Sequence, residues 1–147
     1  MSTKTLAKHR RRVRVFYPLT KGSMVLRTEA DWHQDLEPET SEDGTMSEFT
    51  VASERPFLYF KPCVIDGDQV HWSAGMNNLA VLSEPGTRDI YPFFHSRQVG
   101  AITSVLEFDS ALLGRSHRVR VYLPAGYEEN TLKQAALGYG WILVHCS

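Results

Sequence analysis

Ser110, Ser116 and Ser147 could act as nucleophiles only with a base held within hydrogen-bond reach, and none sits in a G-x-S-x-G elbow. The histidines, at positions 9, 33, 71, 95, 117 and 145, show neither H-x-x-x-H nor any Cys/His spacing, so no bound metal is expected. Cys63 and Cys146 are too few for a disulfide framework or a four-ligand zinc site and read as reduced thiols. Asp66 and Asp68 flank Gly67, where carboxylates make turn contacts more often than acid–base pairs. Gly75, Gly86 and Gly100 fit turns, no glycine-rich phosphate loop is present, and no cofactor is expected. One grouping remains. If the chain turns at Asp66-Gly67, Lys61 and Trp72 fall on adjacent strands within side-chain reach, and Asn77 returns beside them through the Gly75 turn.

The elements that would position these residues are short and extended. Arg11 to Tyr17 reads as a first strand stopped by Pro18, with a turn at Thr20-Lys21-Gly22 and a second strand at about Met24 to Thr28. Residues 33 to 48, HQDLEPETSEDGTMSE, are polar and acidic and read as a loop. Strands resume at Glu48 to Ala52 and Pro56 to Lys61, where Phe57-Leu58-Tyr59-Phe60 should sit inside a sheet. The Asp66-Gly67 turn then joins Lys61–Ile65 to Gln69–Trp72, and further strands follow at Asn78 to Leu82 and Asp89 to Phe94. About seven strands with turns every 8 to 12 residues, and no helical periodicity before residue 100, predict a β-sandwich. The character changes near residues 95 to 101. Ile102 to Phe108 and Arg118 to Leu123 read as two strands joined through Gly114, and Trp141 to His145 as a third apolar run.

Composition places the chain among ordinary soluble globular proteins, with 42 % apolar and 22 % charged residues. No run reaches the roughly 20 apolar residues of a membrane span, and no secretory leader follows the basic start, so a cytoplasmic location without membrane contact is expected. The formal charge of -1 hides an asymmetry: residues 1 to 27 hold eight Lys or Arg and no acid, residues 28 to 54 nine acids and no base. The run from Lys8 to Arg14 could contact nucleic acid. Its alternation with Val13 and Val15 reads better as a solvated edge strand beside an acidic loop, and no nucleic-acid partner is expected.

The stretch from Tyr59 to Asn77, YFKPCVIDGDQVHWSAGMN, resembles the starch- and glycogen-binding family of carbohydrate-binding modules, which are immunoglobulin-like sandwiches. It carries an aromatic-x-Lys strand, an Asp-Gly hairpin and a Trp followed by Gly and Asn, although Phe60 separates Tyr59 from Lys61 and Asn78 stands where many members carry Arg. His117 to Asn130, HRVRVYLPAGYEEN, resembles the opening of the putative-esterase family of enterochelin esterases and esterase D, of the α/β-hydrolase fold. Tyr139 to Ser147, YGWILVHCS, continues that likeness, with Gly140, Cys146 and Ser147 replacing the family's Pro, Asp and Gly. Some members precede this core with an immunoglobulin-like domain containing segments like Trp72 to Asn77 and Ile90 to Phe94.

The resemblance implies an all-β chain: an immunoglobulin-like sandwich at 10–98, then an incomplete esterase-like segment at 99–147. Only 17 residues follow Asn130, and the family's Ser, acid and His would all lie beyond residue 147, so the chain reads as truncated and inactive as an esterase, with no catalytic residues. The first half is expected to bind an α-glucan, with Trp72 as stacking platform, Lys61 and Asn77 as hydroxyl partners and Trp32 as a second platform. The plainer alternative makes Trp72 a core residue. Two rival functions are the substrate-positioning part of a serine ester hydrolase and a protein-interaction sandwich. The Trp141–Val144 run is expected to pair within the monomer or across a homodimer, because an open apolar edge promotes association.

Overall fold

A computed structural model describes residues 7–136. The expected third apolar run and the homodimer contact through it lie outside the described residues. The fold is all-β, and the helix it contains, α1 (Thr131–Ala136), is six residues long. The first sheet has the order β4-β5-β1-β9, with β1 (His9–Phe16), β4 (Thr40–Glu42), β5 (Met46–Ser53) and β9 (Arg88–Ile90). The second has the order β3-β2-β6-β7, from β2 (Ser23–Thr28), β3 (Asp31–Leu36), β6 (Phe57–Asp66) and β7 (Gln69–Trp72), with β8 (Asn78–Val81) also paired to β6. Val13, Val15, Phe49, Val51 and Ile90 of the first sheet share one core with Met24, Leu26, Leu58, Phe60, Val64 and Ala80 of the second. Full burial of a Phe or Leu of this kind stabilises by about 1.5–3 kcal/mol.

β1 does not form an edge. It lies between β5, antiparallel with His9 opposite Ser53, and β9, parallel with Val13–Val15 beside Arg88–Ile90. Cross-strand carboxylates meet its outward arginines, Arg14 gripping Asp89 through two 2.8 Å hydrogen bonds and Arg12 facing Glu48, while Arg11, its side chain largely buried in phase with Val13, reaches Glu84 in a turn. Two of those three acids lie outside the acidic segment expected to neutralise the run.

That segment is not a loop either. It contains β3, β4 and the start of β5, with Asp43-Gly44 forming the turn between β4 and β5. β3 and β4 are sheet edges, where polar side chains can face water, so hydrophobic alternation was never required of them.

β6 runs unbroken through Pro62, where the sequence suggested two strands. The Pro62 carbonyl accepts from Ser73 N, so its ring nitrogen points to the same side of the strand. On that side β7 pairs residues 63–66 and β8 pairs residues 57–60, and Pro62 sits in the gap, where no ladder donor is needed. Within the apolar Phe57–Phe60 stretch only Leu58 and Phe60 face the core, and Phe57 and Tyr59 point outward.

Beyond residue 100 the two expected strands are each interrupted. β10 (Ala101–Ile102) pairs β13 (Tyr122–Leu123), and β11 (Leu106–Ser110) pairs β12 (Arg115–Val119). The breaks stay bonded through Thr103, whose amide donates to Val121 O and whose hydroxyl accepts from Val121 N.

Candidate functional site

The expected Asp66-Gly67 hairpin is present, with Asp66 opposite Gln69 and Gly67 at φ 59°, a conformation that favours glycine. Its register puts Trp72 opposite Cys63, and the β2–β6 register puts Arg27 opposite Lys61. All four belong to the face of the second sheet that points away from the shared core. Trp72 is 40 % exposed there, so it is not a core residue.

Trp32, on the edge strand β3, brings its ring to 6.3 Å from that of Trp72 at an interplanar angle of 59°. The Arg27 guanidinium lies over the Trp72 ring, 5.2 Å from its centroid. Arg27 is itself held, donating to Asp35 Oδ1 at 2.7 Å and to Trp32 O at 3.2 Å. A guanidinium fixed at both ends fixes the indole beneath it and the strand carrying Trp32 beside it. Lys61 Nζ donates to Gly75 O at 2.7 Å, tying the loop that leads to Asn77. Asn77 is exposed at the margin of the group, with no side-chain hydrogen bond among the described residues. The structure thus brings the rings of Trp32 and Trp72 together, puts Lys61 on the same sheet face and leaves Asn77 in the loop that Lys61 ties through Gly75. Sequence reasoning missed Arg27 and Asp35, which become visible only once β2 and β3 are placed beside β6.

Cys63 lies buried under this group. Burial pushes its thiol up to about 11 against the opposing pull of Arg27 and Lys61, which leaves it a thiol and a poor nucleophile. Ser116 donates to Asp109 and Ser110 accepts from Leu113 N, so each hydroxyl serves its hairpin with no histidine as its partner. Among the described residues no group of three or more His, Cys, Asp or Glu is arranged for a metal, and no helix is long and apolar enough to cross a membrane.

Sequence reasoning also missed a second constellation, at the end of the stretch from His117 to Asn130. Glu129 accepts from the amides of Phe94, His95 and Ser96 at 2.6–2.8 Å, from Ser96 Oγ at 2.9 Å and from Tyr17 OH at 2.9 Å. Burial pushes this carboxyl up, but the hydrogen bonds outweigh it and hold it below the usual range. Burial, then the bond to Glu129, pushes Tyr17 up to about 12. Asn130, fully buried, donates through Nδ2 to Phe16 O and Pro92 O, both at 2.8 Å. These carbonyls lie just past the end of the β1–β9 ladder, so the Asn130 amide continues the sheet where the backbone stops doing so. Gly126, at φ 75°, presses its Cα against the Phe93 ring, where a Cβ would collide. The constellation is a clip, and the Glu129 carboxylate and Tyr17 hydroxyl are occupied in holding two segments together.

No protein-family model, curated protein or solved structure matches the chain.

Proposed function

We propose that the chain is a non-catalytic carbohydrate-binding module, an immunoglobulin-like sandwich that takes an α-glucan on the outer face of its second sheet. Trp72 is the stacking platform, Trp32 the second platform, Lys61 a donor to sugar hydroxyls and Asn77 a further partner in the adjoining loop. The observation that carries this reading is an open indole held in place by an arginine that is itself clamped. A sugar ring offers an apolar C–H face to such a plane and hydroxyls to the polar groups around it. The Lys61 ammonium has three donors, and the bond to Gly75 O uses one.

Such a site is shallow and must order a flexible ligand, so an affinity of about -4 to -6 kcal/mol is expected. Titration of maltoheptaose or β-cyclodextrin, followed by indole fluorescence in wild type, Trp32→Ala and Trp72→Ala, tests it. Saturable quenching in wild type that disappears in folded Trp72→Ala supports the reading. Absence of binding at about 10 mM ligand, a concentration well above the expected dissociation constant, removes it.

A second reading, in which this unit positions substrate for a serine ester hydrolase, draws support from the Glu129–Asn130 clip, which would fix the orientation of a following domain. Esterase activity of a longer product carrying this unit, reduced when the clip is broken, would favour it.

A further inference from the structure

The outer face of β6 carries a second aromatic pair built like the first. Phe57 and Tyr59 are 37 % and 41 % exposed, with ring centroids 6.4 Å apart at 78°. The Arg55 guanidinium lies over the Phe57 ring at 4.8 Å, as Arg27 lies over Trp72. A carboxylate again clamps the arginine: Glu29 Oε1 binds Arg55 Nη2 at 2.6 Å and also accepts from Tyr59 N at 3.0 Å. In each pair one aromatic ring is backed by an ion-paired arginine and its neighbour is tilted beside it.

Strand geometry places the pairs in one line. Tyr59 and Cys63 point to the same face of β6, Trp72 stands opposite Cys63, and four residues of strand correspond to about 13 Å. Lys61 lies between them on that face. Leu79, opposite Tyr59, widens the apolar floor of the second pair.

We propose that Phe57 and Tyr59 form a second stacking position, so that the ligand is a neutral linear polysaccharide chain lying along β6 across both pairs. This rests on the carbohydrate-binding reading above. Two observations select that occupant. Arg27 and Arg55 are each neutralised in place by Asp35 and Glu29, so the face lacks the cluster of uncompensated cations that a nucleic acid or an anionic lipid surface requires. Its apolar planes are also separated by an amine rather than merged into one dry patch, which suits a chain of rings edged with hydroxyls. A short oligosaccharide can occupy one pair and not bridge to the other.

Calorimetric titration of maltotriose and maltoheptaose into wild type, Tyr59→Ala and Tyr59→Leu tests the proposal, the leucine keeping the apolar contact with Leu79 in case the alanine variant does not fold. Maltoheptaose is expected to bind wild type about tenfold more tightly than maltotriose, because the second contact is made at high effective concentration. Both variants should bind maltoheptaose only as well as maltotriose, with maltotriose affinity and Trp72 quenching unchanged. Equal affinity for the two lengths in wild type, with Trp72 quenching intact, overturns the second position and leaves the first. A length preference that survives in the Tyr59 variants overturns it as well. Sedimentation showing a wild-type dimer that Tyr59→Ala dissolves would assign the face to self-association instead. Failure of wild type to bind either sugar overturns both readings together.

Discussion

Asn130→Ala tests the clip where its chemistry is least forgiving. The side chain is fully buried, and its Nδ2 is the donor for Phe16 O and Pro92 O. Alanine removes that donor and leaves both carbonyls facing a small void. A buried group stripped of its partner costs about 1–3 kcal/mol, and carbonyls, with two lone pairs each, fall toward the lower end. The helix cap adds little, since Asn130 Oδ1 accepts from Lys133 N at a long 3.3 Å. The sum is about 2–4 kcal/mol, and with a urea m-value of about 2 kcal/mol/M, the middle of the usual range, the midpoint should fall by about 1–2 M. Asn130→Asp keeps the shape and the cap acceptor but turns an oxygen toward the two carbonyls, so it should destabilise at least as much as alanine. Urea unfolding followed by circular dichroism reads the global effect. Hydrogen exchange at the amides of Phe94, His95 and Ser96, which the clip also holds, reads any local opening. If both variants stay within about 0.5 kcal/mol of wild type with unchanged protection of those amides, Asn130 bridges nothing and the reasoning fails.

The Glu129 carboxyl titrates lower in the folded state than in the unfolded chain, so its stabilisation is present above the ordinary carboxylate range and is lost as pH falls through the folded value. Unfolding midpoints of wild type and Glu129→Gln should therefore differ at pH 7 and converge on acidification, and a constant gap would contradict this. Tyr17, raised to about 12, behaves in the opposite sense: its contribution is complete below pH 10 and is lost as pH rises through about 12. Tyr17→Phe should cost about 0.5–1.5 kcal/mol at neutral pH and weaken that alkaline loss, measurable by thermal melts across pH 8–12. Gly126→Ala, strained at positive φ and blocked by Phe93, should destabilise by more than about 1 kcal/mol, and a neutral melting shift would show that the loop relaxes freely. The purified chain is expected to hydrolyse no p-nitrophenyl acetate above a heat-denatured control, and turnover abolished by a fluorophosphonate would refute that.

What the sequence made legible was local. Asp66-Gly67 names its own turn, and from that turn follow the pairing of Cys63 with Trp72 and the proximity of Lys61. The alternation around Val13 and Val15 correctly marks a strand with one charged face, but nothing near it reports that β9 lies alongside, because Arg14 and Asp89 are separated by 75 positions. The same non-locality hid Arg27 and Asp35, whose importance depends on which ring lies beneath the guanidinium. Pro62 misled for a different reason. The rule against proline in a central strand assumes that its nitrogen faces a partner, and here it faces the junction between β7 and β8. The exposure of Phe57 and Tyr59 was hidden by composition, since a run of four apolar residues conceals an alternation that only the sheet's two unlike faces reveal.

The stretch from His117 to Asn130 shows why a motif's residues have to be followed to their contacts. Read as sequence it resembles the beginning of an enzyme core, which invites a search for a nucleophile. Followed in space, the Glu and Asn at its end bind the loop at 94–96 and the ends of β1 and β9, across the expected boundary at residues 98–99. A carboxylate accepting five hydrogen bonds is a poor general base, since protonation would break the network that holds it. A fully buried amide bridging two carbonyls has no donor left for a substrate. Both residues are therefore accounted for by positioning alone, whichever function the rest of the chain performs. The exposed rings of β6 and β7 are not explained by holding the fold together. Each could have been covered or replaced at less cost to solubility, and the arginines that hold Trp72 and Phe57 in place are themselves held by carboxylates. Order maintained at an exposed apolar surface is the condition for binding with little loss of entropy, and it is the reason the proposed ligand site is put on the sheet face rather than in the stretch from His117 to Asn130.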